Sequence, residues 1–282
     1  NNQFLIAISE EKEIREAIVG LNPESSPGPD GFPGSFYGAC WSIVKSDVIE
    51  AVQDYFRGGC IPRVASATTL VLIQKVKDPS LLKKCRPNIM CNFAYKILAG
   101  VLNRRIGIHV SSWILEEQHG FVRGRTIQGV IGLAQEMMED IKKKSQGSNL
   151  AIKLDMEKAY EKLEWAIIIQ VLRSKGFSSW AIDLLFRSWS SPWISVFFMG
   201  RRKCFFKSVC GLRQGDPLSP SFFILAQDAL SIYIKSTMQE GKIQPFFCRF
   251  CFQNLSHLMF VDDTVLFING SSGSIRGINT IL

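Results

Sequence analysis

Asp262 and Asp263 stand side by side in HLMFVDDTVLFI (257–268), between two apolar runs, and Asp155 ends another apolar run, NLAIKLDM (149–156). An ionised carboxylate in such surroundings is costly unless something compensates it. Solvent at a turn, a cationic side chain and a metal ion would each serve. If the two segments are neighbours in one sheet, three carboxylates converge, and three close carboxylates cannot all stay ionised without cations. Mg2+ suits such a set, since it takes hard oxygen ligands and keeps positions open for substrate phosphates. Two such ions roughly 3.5–4 Å apart would hold the attacking and leaving oxygens of a phosphoryl transfer. The plain alternative is that Asp262–Asp263 is a solvated hairpin turn.

Such carboxylates need rigid elements to hold them. The residues around the aspartate pair read as a hairpin with Asp262 and Asp263 at its tip, and Asp155 closes a short strand. SATTLVLIQKV (66–76), rich in β-branched residues, reads as a strand. WISVFFMGRRKCFFKSV (193–209) reads as a second hairpin whose basic turn is GRRK. Helices are expected over 92–110, 126–144, 165–177 and 221–236, the last opened by Pro220. A further helix has Ser9 as its cap and Ile14, Ala17, Ile18 and Leu21 as its apolar face. The second of these helices closes on lysines, and the first carries a basic patch at Arg104 and Arg105. SSPGPDG (25–31) and GLRQGDPLSP (211–220) are loops. Strands and helices mix without a regular βαβ rhythm, which favours an α+β fold.

The chain has 282 residues, enough for a sizeable core, with 46% hydrophobic and 21% charged residues. Its net charge of +8 suits a polyanionic partner, of which nucleic acid is the commonest. No apolar run is long enough to span a bilayer. The N-terminal stretch NNQFLIAISEEKEIREAI turns acidic too soon for a signal peptide, so the expected location is nuclear or cytoplasmic, not secreted. Eight cysteines are read as reduced thiols. Cys248 and Cys251 have C-x-x-C spacing near His257, but no fourth zinc ligand stands at a matching distance. Asn1 and the apolar run GINTIL at the end both read as cuts, so a fragment is expected.

FVDDTVLF resembles the F/Y-x-D-D box of reverse transcriptases, and KLDMEKAYEKLEW (153–165) resembles their K-L-D-x-x-K-A-Y-D-x-x-x-W box. GLRQGDPLSP is similar to a third box residue for residue. LIQKVKDP (72–79) with CRPNIMCNFAYKI (85–97), QHGFVRGR (118–125) and SSPGPDG resemble three more, in the same order. Together they resemble the reverse transcriptase of a non-LTR (LINE-type) retrotransposon, of the kind abundant in plants. The resemblance implies the fingers and palm of a right-hand polymerase, with a small antiparallel palm sheet bearing all three aspartates and packed on helices. Residues 1–60 would extend the fingers, and residues 61–282 would form fingers and palm, stopping before the thumb.

The resemblance also implies roles. Asp155 and Asp262 would be shared between two Mg2+ ions, with Asp263 as the supporting carboxylate. A DNA primer on an RNA template would be extended from dNTPs, with release of pyrophosphate. Tyr160 lies in the family's steric-gate position, where a ring rejects a ribose 2′-hydroxyl. A core aromatic is the other reading of Tyr160. Lys75 and Arg86 match residues that hold the triphosphate, and Gln214 and Gly215 match residues beside the nascent base pair. Arg123, Arg125, Arg201, Arg202 and Lys203 are candidates for gripping the template-primer backbone. Gly28, Asp30 and Gly31 would form a template-side loop, with a plain turn as the other reading.

The chain departs from the family's pattern in places. Glu161 stands where aspartate is usual, Val261 where alanine is usual, and Gln74 and Arg123 where proline is usual. Cys85 replaces an aromatic and Ser25 a lysine. A non-catalytic nucleic-acid-binding remnant of the same fold is therefore a second reading. A different Mg2+-dependent phosphotransferase is a third, in which GLRQGDPLSP and KAYEKLEW would have no role.

Overall fold

The structure, a computed structural model, describes residues 2–78, 80–141, 148–248 and 255–281. Among them run seven strands: β1 Thr68–Gln74, β2 Cys85–Cys91, β3 Asn149–Asp155, β4 Trp193–Phe198, β5 Arg201–Lys207, β6 His257–Phe260 and β7 Asp263–Asn269. They form a four-stranded sheet of order β2-β1-β4-β5 and a three-stranded sheet of order β3-β7-β6. The chain divides into two compact units. One holds the residues up to Ile108 with Tyr160–Phe222, and the other holds His109–Ala159 with the residues from Phe223 on. The division expected at residue 60 falls inside the first unit.

In the first unit β1 pairs antiparallel with β2 and parallel with β4, and β4 forms a hairpin with β5. Pro87 lies in β2, at the edge of the sheet, where its missing N–H removes no ladder bond from the interior. The β4–β5 turn is Met199–Gly200, both at positive φ, the geometry that matches the twist of paired strands. The expected basic turn is thus corrected: Arg201, Arg202 and Lys203 belong to β5 itself. The helix Phe93–Trp113 buries Phe93, Tyr95, Ile97, Val101, Leu102 and Ile106.

The basic patch expected at Arg104 and Arg105 is not a free surface. Arg105 is 3% exposed and gives both oxygens of Glu13 a hydrogen bond, at 2.7 and 2.6 Å. It also donates to the carbonyls of Leu5 and Ala7 and to the Ser9 hydroxyl. Arg104 pairs with Glu16. A buried guanidinium must find acceptors for its N–H groups. That demand takes Ser9 from its expected capping duty: the helix Glu11–Gly20 has Glu10 at its N-cap and no side-chain cap bond.

In the second unit β3 and β6 flank β7, all antiparallel. Side chains alternate across the sheet. Leu150, Ile152, Leu154, Leu266 and Ile268 fall on one face, in a cluster with Leu230 and Ile234 of the helix Ser219–Gln239 and Ile278 of the helix Ser272–Asn279. Ala151, Val265 and Phe267 fall on the other, with Met137 and Leu133 of the helix Ile127–Ile141. The apolar runs are explained by burial on both faces. The lysines expected to close the helix at 142–144 lie outside the described residues, as does Cys251.

His257 opens β6 fully buried, with Nδ1 2.7 Å from the Ser256 hydroxyl and Nε2 2.8 Å from that of Ser231. Both ring nitrogens are thus engaged, and neither is open to a metal. Burial pulls its pKa down to about 4, below the ordinary value of 6.5. The unfolded chain therefore takes up the proton first as pH falls. Stability is full above about pH 6.5 and declines toward pH 4, by up to about 3 kcal/mol. Urea denaturation over this range should show that decline in the native chain and a shallower one in His257→Gln.

Candidate active site

The antiparallel register sets Asp155 directly opposite Asp263. Asp262 precedes Asp263 in the two-residue turn Val261–Asp262 that joins β6 to β7. The three residues thus stand at one end of one small antiparallel sheet. Asp155, Asp262 and Asp263 are all exposed. By strand alternation Lys153, Asp155 and Asp263 lie on one face. Lys153 reaches diagonally across the pair, its ammonium 2.9 Å from Asp263 Oδ1. That hydrogen bond and the charge of Asp263, with Asp155 and Asp262 adding to it, hold the Lys153 pKa above its usual value. Among the described residues, Lys153 and exposure to solvent compensate the carboxylates here.

Among the described residues no three His, Cys, Asp or Glu side chains are gathered closely enough to hold an ion as they stand. The donor chemistry nevertheless fits a divalent cation: hard carboxylate oxygens, open to solvent, on adjoining strands and their turn. Lys153 occupies one oxygen of Asp263 and would have to yield it.

The residues expected to meet a nucleotide lie in the first unit. Arg86 pairs with Ile73 across the β1–β2 hairpin. Lys75 lies one residue beyond the end of β1, its N–H donating to the Lys84 carbonyl at 2.9 Å. Both are exposed. Tyr160 is half-buried, and its carbonyl accepts the Leu212 N–H at 2.7 Å. Gly211 donates to Leu163, and a side chain at Gly211 would strike the Glu161 carbonyl at 2.4 Å. Gln214 Nε2 donates to Glu161 Oε1 at 3.0 Å, and its carbonyl accepts the Ile89 N–H at 3.2 Å. Gly215 sits at φ +96°, where a side chain is strained. Tyr160, Gln214 and Gly215 are thus laced into one piece of backbone against β2.

The expected backbone grips differ among themselves. Arg123, Arg201 and Lys203 are exposed. Arg202 is exposed too, but Nη1 donates to the Pro29 carbonyl at 3.1 Å, joining β5 to the 25–31 loop. In that loop Gly28 presses on Asn92, whose Oδ1 accepts the Asp30 N–H at 3.1 Å. Arg125 is corrected. Its guanidinium donates to the carbonyls of Leu115, Gln118 and Ile114, which makes it a loop-closing residue and not a free cation.

The sequence profile of the reverse transcriptase (RNA-dependent DNA polymerase) family matches residues 73–282. The chain belongs to this family. Among its relatives is the transposon TX1 uncharacterized 149 kDa protein of Xenopus laevis, 26% identical over 215 residues, covering 76% of the chain and 16% of that protein. The Pol polyprotein from retrotransposable element R2 of Nasonia vitripennis is 24% identical over 77% of the chain and 20% of its own length. Its counterpart of Popillia japonica is 25% identical over 82% of the chain and 31% of its own length. An uncharacterized mitochondrial protein of Arabidopsis thaliana shares 41% identity over 54 residues, 19% of the chain and 44% of its own length. The chain thus spans a third or less of the length of the retrotransposon relatives.

Two residues of this reverse transcriptase domain escaped sequence reasoning although they lie inside a matched box. Arg213 and Asp216 form a buried ion pair at 2.5 Å around the Gln214–Gly215 turn. Tyr95 donates to Asp216 at 2.8 Å and receives a bond from Arg213. Burial alone would lower the Arg213 pKa, but Tyr95 and Asp216 hold it above the usual value. Asp216 also accepts the Leu218 N–H at 2.9 Å. Their signal was the charge pair at i, i+3 within an apolar loop.

Two outcomes follow. Lys153→Met should tighten Mn2+ binding about thirtyfold at low salt, the effect of removing one unit charge about 4 Å from a divalent ion in water, as read by electron paramagnetic resonance titration. Asp216→Ala leaves Arg213 buried and unpaired, and should destabilise the fold by about 3–5 kcal/mol in chemical denaturation.

Proposed function

We propose that the chain is the polymerase part of a non-LTR retrotransposon protein that extends a DNA primer on an RNA template. The observation that carries this reading is the Asp155–Asp263 register with Asp262 in the adjoining turn. The finer reading, an element of the plant kind, is supported by the short stretch shared with the Arabidopsis thaliana protein.

The primer 3′-hydroxyl attacks the α-phosphate of a dNTP and pyrophosphate leaves. Asp155 and Asp262 would hold both of two Mg2+ ions, with Asp263 in support. Bound there, the ions supply acidity to the hydroxyl and neutralise charge on the leaving oxygens. Arg86 offers a planar pair of donors to triphosphate oxygens, and Lys75 a point charge. The Tyr160 ring excludes a 2′-hydroxyl by bulk, on backbone held by Leu212. Gln214 and Gly215 present backbone to the nascent pair, and at Gly215 no side chain intervenes. Arg123, Arg201, Arg202 and Lys203 contact phosphates without reading sequence.

Primer extension tests this, with a DNA primer, an RNA template, Mg2+ and dNTPs. Incorporation should occur and fall to background in Asp262→Asn. Replacing Arg201, Arg202 and Lys203 by alanine should weaken template-primer binding and make it less steep in salt, by about 0.9 in slope for each phosphate no longer neutralised. Absence of incorporation, with binding retained, would instead favour the remnant of the same fold.

A further inference from the structure

The acidic turn contains an improbable residue. Val261 is β-branched and sits at φ +56°, where such a side chain is strained and persists only if its surroundings hold it. The turn residues Val261 and Asp262 are adjacent, so whatever fixes Val261 fixes the backbone that carries the Asp262 carboxylate.

Gln118 surrounds Val261. It is completely buried. Its Oε1 accepts the Val261 N–H at 3.1 Å, and its Nε2 lies 3.3 Å from the Val261 carbonyl, to which it donates. One side-chain amide therefore engages both polar groups of the strained residue. The same Oε1 accepts the Gly120 N–H at 2.8 Å, which fixes the amide's own orientation. The backbone around Gln118 is tied to β6: His119 donates to the Met259 carbonyl at 2.9 Å and Met259 to that of Glu117 at 2.8 Å. Arg125 closes the loop from the other side by donating to the Gln118 carbonyl.

Gly120 completes the arrangement. A Cβ there would lie 2.5 Å from the Val261 nitrogen and 2.6 Å from its Cγ2. Neither atom is the end of a flexible chain, so any side chain at position 120 displaces the turn.

We propose that Gln118 is a positioning residue of the catalytic site: its amide clamps Val261 in the left-handed region and so aims Asp262, and Gly120 is the notch that admits the turn. This deepens the polymerase reading and rests on it for the role of Asp262. A side-chain amide is suited to the task because it offers an acceptor and a donor in one plane, as a peptide group does. Methionine has similar length and offers neither.

The test uses Mn2+ alone as the probe, together with hydrogen exchange at the Val261 amide. Gln118→Met should lower Mn2+ affinity about tenfold, the usual effect of losing a residue that orients a ligand, and should speed Val261 exchange. Gly120→Ala should do the same with Gln118 intact. Gln118→Met combined with Val261→Gly should recover affinity to within about threefold, because glycine holds the left-handed conformation without strain. A merely structural glutamine would lower thermal stability and would not be rescued by a glycine. Wild-type affinity and exchange in Gln118→Met, or a loss that Val261→Gly leaves unrelieved, overturns the proposal. If the native chain binds no Mn2+ the polymerase reading fails, and Val261 exchange in the same variants then decides the clamp by itself.

Discussion

Register in the β3-β7-β6 sheet is the constraint on which the site depends. Asp155 faces Asp263 only because seven consecutive pairs, from Asn149↔Asn269 to Asp155↔Asp263, are in step. A slip of one residue would turn Leu150, Ile152 and Leu154 away from the helix Ser219–Gln239 and direct Lys153 and Asp155 into that core. The apolar side chains on both faces therefore set the position of the carboxylates. Packing decides the register, and the register decides the chemistry available at the sheet's end.

Charge is handled in two ways in this molecule. At the end of the sheet the carboxylates are exposed, and Lys153 shares their field. Such a pair is weak in water and can open. Beneath the Gln214–Gly215 turn the opposite holds. Arg213, Asp216 and Tyr95 are buried and mutually bonded, so separating them leaves a charge without solvent or partner. The loosely paired charges lie where water can replace a partner, and the groups that hold shape lie where it cannot.

Much of this was legible in the sequence. The apolar runs around Asp155 and Asp262–Asp263 gave their strands, because burial on both faces leaves a continuous hydrophobic signature. Other elements were hidden. β2 reads CRPNIMC, with a proline and no alternation, and forms because an edge position tolerates the missing donor. The helices Trp41–Phe56 and Ser179–Ser190 went unassigned. Ser9 and Arg105 misled for a common reason: their partners lie far along the chain, and a local rule about caps or basic patches cannot see them. The carbonyl partners of Arg125 were hidden in the same way: three of them, brought together by the fold, engage its donors. Gln118 opens the stretch QHGFVRGR, but its contact with the acidic turn arises only where Glu117–His119 meets β6.

The β5 strand ends the four-stranded sheet with every residue exposed, including Phe205 and Phe206. An open strand edge carrying aromatics is an invitation to polymerise, because a second copy could continue the ladder. Here Arg201, Arg202, Lys203 and Lys207 line the same strand. Two such edges brought together would set cation against cation, whereas an anionic chain would meet no such repulsion. The same four charges thus discourage self-association, so the aromatics of this edge can stand exposed without inviting a second copy to extend the sheet.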